Sequence, residues 1–156
     1  MKTIIAERRL VCYTSLMTAE EMWRDHLGYL TQTKGVYSAW AFGGRDDAES
    51  DLLAQLAERG VKQATTSALN EYGPDDRLPQ AGDYSVILDS RGQAVCIIVD
   101  ESVTIRRFGD VDESYAFREG EGDKSLRYWR SVHQEAFSGI TDDDLVVCEE
   151  FRKVYP

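Results

Sequence analysis

From Thr18 onward, stretches with helical spacing of apolar residues give way to short stretches in which apolar and polar residues alternate. Met22, Trp23, His26, Leu27 and Leu30 fall on one side of a helix. Thr18-Ala19-Glu20-Glu21 ahead of them is a capping box, in which the Thr hydroxyl and the Glu carboxylate each satisfy a backbone donor. Residues 37–42 alternate as a strand and stop at Gly43-Gly44. A second helix is expected over 47–59, capped by Asp46 or Asp47, with Leu52, Leu53 and Leu56 facing the core. Gly60 suits the left-handed position that ends it. The β-branched residues that follow read as the opening of a strand. After a loop over 71–80 that holds Pro74 and Pro79, residues 84–89 and 93–99 read as a hairpin around Ser90-Arg91-Gly92. A further strand is expected at 103–108, with 100–102 a turn or bulge. A short helix follows at 111–118. A longer one at 125–137 carries Leu126, Trp129, His133 and Phe137 on one stripe, and 145–155 forms a final strand.

Strands of mixed length, with helices inserted at the ends rather than alternating with them, predict an α+β fold around a curved sheet or small barrel. The 156 residues fit one domain. Residues 1–17 have no clear period and read as a tail or an extra strand, leaving 18–156 as the domain. Hydrophobic content of 42% and charged content of 29% are those of an ordinary globular chain. No apolar run reaches the length of a membrane span, and Glu7, Arg8 and Arg9 interrupt what would be a leader core, so a cytoplasmic protein with no membrane partner is expected. Three scattered cysteines, Cys12, Cys96 and Cys148, make neither a disulfide framework nor a metal motif. The net charge of −10 argues against tight, non-specific binding of long nucleic acid, which depends on phosphate neutralisation. A basic group, Arg106, Arg107, Arg118, Lys124, Arg127 and Arg130, could still form a local positive patch.

Candidate chemistry concentrates at Gly60-Val61-Lys62-Gln63-Ala64-Thr65-Thr66-Ser67, where an amine and hydroxyls meet at a helix exit. An amine beside an alcohol is one way to activate a weak nucleophile, although a polar rim has the same composition. Three residues apart on a regular strand, Lys62 and Thr65 would face opposite sides. They converge only if Lys62 still lies in the turn after Gly60 or if a bulge intervenes. Thr66 shares the parity of Lys62 and is the rival hydroxyl.

Five fragments occur in order: Trp40-Ala41-Phe42-Gly43; Gly60-x-Lys62-x-x-Thr65-Thr66-Ser67-Ala68-Leu69; Leu78-Pro79-x-x-Gly82-Asp83-Tyr84; the run from Glu119-Gly120-Glu121-Gly122-Asp123 through Tyr128-Trp129-Arg130 to His133; and Val147-Cys148-Glu149-x-Phe151. Together they resemble ASCH domain proteins of the larger bacterial type, from about Thr18 to Tyr155. The resemblance implies a PUA-like fold, a small mixed β-barrel flanked by helices, with a cleft sized for a nucleotide. Some members are linked to hydrolysis of acylated cytidine nucleosides and others to cleavage of single-stranded RNA. In the amidohydrolase members a lysine and a threonine in a Gly-x-Lys-x-x-Thr motif act with a later glutamate. Those positions fall here on Lys62, Thr65 and Glu119, with Glu121 competing for the last role.

Amide hydrolysis needs a nucleophile, a proton acceptor and a donor to the departing amine. As a base, Lys62 would need a lowered pKa, yet a nearby carboxylate would hold it charged; as a cation it could instead stabilise an oxyanion. On this reading Lys62→Ala abolishes hydrolysis and leaves the fold intact. Trp40 and Phe42 are candidates to stack on a base, and Thr66, Ser67 and Arg130 to contact a ligand. Trp129, His133 and His26 read as core residues, and two helical histidines do not make a zinc site. Asp142-Asp143-Asp144 reads as a solvated turn. No metal or cofactor is implied. Two functions remain open: a hydrolase of a modified nucleoside, or a non-catalytic RNA- or nucleotide-binding module, with a single-stranded ribonuclease between them.

Overall fold

A computed structural model describes residues 16–29 and 36–156. Leu30 and Cys12 lie outside that range, as does nearly all of the 1–17 segment. The elements run α1 (Ala19–Tyr29), β1 (Tyr37–Ala41), α2 (Asp47–Glu58), β2 (Ala64–Ala68), β3 (Tyr84–Leu88), β4 (Ala94–Arg107), α3 (Glu113–Glu119), α4 (Leu126–Ala136) and β5 (Leu145–Tyr155). The capping box forms as expected: the Thr18 amide donates to the Glu21 carboxylate at 2.9 Å and the Glu21 amide to the Thr18 hydroxyl at 3.2 Å. Asp46, Asp112 and Ser125 cap α2, α3 and α4 through their side chains.

One mixed five-stranded sheet, in the order β1-β3-β4-β5-β2, organises the chain. Strand β1 runs parallel to β3, and every other pairing is antiparallel. Strands β1 and β2 lie at opposite ends of this order, yet residues of both line one cleft, because the sheet curls into a half-barrel. The two strands expected at 93–99 and 103–108 are one, β4. Its bulge between Asp100 and Ser102 is absorbed because β5 pairs along it from Ile97–Tyr155 to Arg107–Leu145. At the chain's beginning, the Met17 carbonyl accepts from the Ala94 amide at 2.7 Å.

Three apolar groups hold the layers together. Helix α2 covers one face of the sheet with Leu53, Ala54 and Ala57 against Ile87, Cys96, Ile98 and Phe151. On the opposite face Met22 and Trp23 of α1 pack on Val86 and Ile97, while Tyr115, Ala116 and Trp129 of α3 and α4 pack on Ala64, Val146 and Cys148. Leu52 departs from its expected core position and is 51% exposed. The stripe that α2 buries is Ser50, Leu53, Ala54, Ala57, an i, i+3, i+4, i+7 set that Leu52 falls outside.

Candidate functional site

Lys62 sits where α2 hands the chain to β2. Gly60 adopts φ 69°, and the amides of Val61 and Lys62 both bond the Leu56 carbonyl, at 2.9 and 3.0 Å. Because β2 begins at Ala64, Lys62 lies in the turn, which lets it share a cleft with Thr65. Two backbone bonds through Gln63, to the Arg118 carbonyl at 2.7 Å and from the Phe151 amide at 2.9 Å, fasten that turn to α3 and β5.

Glu119 closes α3 and is followed by Gly120 at φ 75°. A Cβ at Gly120 would run into the Val61 carbonyl, so a glycine here lets the end of α3 touch the Lys62 turn. The result is a buried charge network. Lys62 is 1% and Glu119 2% exposed. The amine reaches the Glu119 carboxylate at 3.1 Å and Glu121 at 2.5 Å, and it lies 5.1 Å from the centre of the Phe42 ring. The other Glu119 oxygen accepts from Trp129 Nε1 at 2.8 Å and from the Thr66 hydroxyl at 2.5 Å, with His133 Nε2 3.5 Å away.

This arrangement decides the charge of Lys62. Burial works against the ammonium, but the facing Glu119 and Glu121 carboxylates more than offset it and hold the pKa above its ordinary value. Burial likewise opposes ionisation of Glu119, and Lys62, His133, Thr66 and Trp129 together outweigh it, so its pKa lies below the usual carboxylate value. Lys62 is therefore a fixed cation rather than a neutral base. The expected harmlessness of Lys62→Ala to the fold is also corrected, since truncation would leave a buried carboxylate without its counter-charge.

Strand parity separates the two threonines. Thr66 faces α3 and α4, bonded to Glu119 and 3.2 Å from the Tyr115 hydroxyl. Thr65 stands opposite Glu149 of β5 and borders the cleft. Its carbonyl accepts from Tyr115 at 2.6 Å, while its hydroxyl makes no hydrogen bond among the described residues.

The cleft measures about 900 Å³. Trp40 and Phe42 wall one side; Trp40 is half-buried, whereas Phe42, 4% exposed, serves as the floor under Lys62. Ser67 borders the cleft with its hydroxyl 2.8 Å from that of Tyr72. Eight carboxylate side chains line the cleft against three cations, Arg45, Lys62 and Arg77. Each of those cations already faces a carboxylate: Glu49 for Arg45, Glu119 and Glu121 for Lys62, Asp83 for Arg77.

Arg130 is not among the cleft residues. Its guanidinium bonds the Gly109 carbonyl at 2.8 Å and lies 3.3 Å from Asp142. None of the six basic residues from Arg106 to Arg130 lines the cleft; Arg107 pairs with Asp143, Arg118 lies 3.9 Å from Glu150 and Lys124 sits over the Phe117 ring. Among the described residues, no three His, Cys, Asp or Glu side chains converge as a metal-ligand set, and no helix is long and apolar enough to cross a membrane.

Sequence reasoning missed a second pair of carboxyls in the cleft, the buried Asp100 on β4 and the half-buried Glu149 on β5. Their side chains hydrogen-bond to one another. Burial, then the neighbouring acids, raise Asp100 to about 7 and Glu149 to about 8. The signal was present: Glu149 alternates with the buried Val147 and Phe151, and Asp100 ends the apolar run Cys96-Ile97-Ile98-Val99. A carboxyl at an inward strand position is rarely idle.

No curated protein matches the chain. Among solved structures it is similar to an ASCH domain from Lactobacillus crispatus JV V101, with 29% identity and a TM-score of 0.80, covering 92% of this chain and 99% of that one. It is also similar to a protein from Enterococcus faecalis V583, with 32% identity and a TM-score of 0.76, covering 87% and 92%. Residues 38–155 match the ASCH domain, so the chain belongs to the ASCH domain family, with its PUA-like α+β fold.

Proposed function

We propose that this protein hydrolyses an acyl–nitrogen bond on a modified nucleoside of the acylated-cytidine type. The observation that carries the reading is Thr65: a hydroxyl with no hydrogen-bond partner among the described residues, on a cleft that it shares with the buried, ion-paired Lys62 and that is large enough for a nucleoside. Thr65 Oγ1 attacks the acyl carbon. Lys62, kept charged by Glu119 and Glu121, supplies positive potential for the oxygen that becomes negative, in a site where water screens little. Trp40 offers an aromatic face to the base, and Ser67 with Tyr72 offers hydroxyls to the sugar or the base edge.

Charge supports a nucleoside over RNA. Every cation of the cleft already faces a carboxylate and acids outnumber bases there, so a phosphate backbone would meet repulsion. The test is chromatography of a panel of N4-acylated cytidines incubated with the wild type and with Thr65→Val. Release of cytidine and free acid by the wild type and not by the variant is the expected result. No release from any member of the panel refutes the substrate assignment.

A further inference from the structure

Lys62 cannot accept the Thr65 proton, because two carboxylates hold it as an ammonium. Glu119 is poorly placed for that role: one of its oxygens takes Lys62 and the other takes Trp129 and Thr66. A base is still required. Glu149 is the residue paired directly opposite Thr65 across β2 and β5, so both side chains leave the sheet on the same face, with β-carbons about 4.5–5.5 Å apart. Asp100, 6% exposed, comes to the same region from the β4 bulge; among the described residues no cation pairs with it, and its side chain bonds that of Glu149. Asp100 and Glu149 both line the cleft that Thr65 borders.

We propose that Glu149 is the catalytic base and acid of this site, working on Thr65, and that Asp100 is its positioning residue. The inference rests on the reading of Thr65 as nucleophile. In the first step the Thr65 O–H bond breaks, its proton passes to the Glu149 carboxylate, and Oγ1 bonds to the acyl carbon. When the tetrahedral adduct collapses, the C–N bond breaks and Glu149 returns the proton to the departing nitrogen, leaving an acyl ester on Thr65. Water, deprotonated by the same carboxylate, attacks the ester; the acid leaves, and Thr65 Oγ1 recovers its proton from Glu149. No other reactant is needed.

The pair's surroundings poise it for such exchange. Burial is the largest influence on Glu149, followed by Asp100, Asp83 and Glu119; Asp83 is itself bound by Arg77, Glu119 by Lys62, and the Tyr72 hydroxyl and Glu71 lie nearby. With the two carboxyls titrating at about 7 and about 8, the pair holds roughly one shared proton near neutrality, so a carboxylate and an acid are present together.

The experiment uses p-nitrophenyl acetate as an acyl donor that needs no nucleoside recognition, with intact mass and peptide mapping to follow acetylation of Thr65. In the wild type the rate rises with pH through an inflection between about 7 and 8, as a carboxylate of the pair becomes free. Glu149→Gln slows it about 100-fold or more and removes the inflection, while Asp100→Asn, which deletes a neighbouring charge, moves the inflection to lower pH. Asp100→Asn removes a buried ionisable group and Glu149→Gln a half-buried one, and cooperative urea unfolding shows that the variants are folded. Equal acetylation of the wild type and Glu149→Gln overturns the assignment. Acetylation that depends on Glu149, together with failure on every acylated cytidine, leaves the base in place and refutes only the substrate class. Absence of acetylation at Thr65 in the wild type overturns both.

Discussion

Replacing Lys62 by alanine removes the counter-charge of a carboxylate that is 2% exposed, and the consequence for stability can be worked out. Glu119 would keep its bonds from Trp129 and Thr66, but no formal positive charge would lie against it except a protonated His133 at 3.5 Å. Breaking a buried ion pair by deleting one partner typically costs about 3–5 kcal/mol, because the remaining charge stays desolvated. Against a total of about 5–15 kcal/mol for a domain, that is a fifth or more of the stability. The melting temperature should fall by roughly 6–20 °C. Urea denaturation of the wild type, Lys62→Ala and Lys62→Met/Glu119→Gln at neutral pH measures it. The double variant buries two neutral groups in place of two charges and should regain at least half of the loss. If Lys62→Ala lies within about 1 kcal/mol of the wild type, or if the double variant is no better than the single one, the network is not the stabilising unit described here.

Thr65→Val should reduce turnover roughly 1,000-fold or more with the urea midpoint unchanged, because its hydroxyl has no hydrogen-bond partner among the described residues; a stability loss above about 1 kcal/mol would contradict that. Thr66→Val should instead destabilise by about 1–3 kcal/mol, since Glu119 loses a donor in a buried site, and equilibrium unfolding separates the two threonines. Asp100 and Glu149 have folded-state pKa values raised above their ordinary ones, so their contribution is fully present below about pH 4 and is lost as pH rises through about 7 to 8. The wild type should therefore lose up to about 6–7 kcal/mol between about pH 5 and pH 9, and Glu149→Gln less than half of that; identical slopes in urea titrations would refute the pairing of the two carboxyls. Gly120→Ala should cost more than about 2 kcal/mol, because φ is 75° and the added carbon meets the Val61 carbonyl; a neutral effect on thermal unfolding would show that α3 does not press on the Lys62 turn.

Local chemistry wrote much of this molecule into its sequence. The capping box at Thr18, the helix exit at Gly60 and the alternation of the last strand are short-range signals, and each formed where the residues indicated. The same signals put Lys62 at a helix exit, with its place in the turn left to the structure, and Glu119 at a helix end. They did not settle which face of α2 is buried, because one residue of helical rotation exchanges Leu52 for Ser50 and only the packing partner chooses between them. Nor did they decide the state of Lys62. An isolated sequence leaves open whether burial or a carboxylate dominates, and here two carboxylates arrive from 57 and 59 residues away. The Asp100–Glu149 pair was the least legible part, since it exists only through the register of β4 with β5 and the bulge between them. Periodicity and caps act over a few residues and can be read in order along the chain. Charge states, and the meeting of distant carboxyls in one cleft, depend on strand pairing and burial, which the folded chain alone decides.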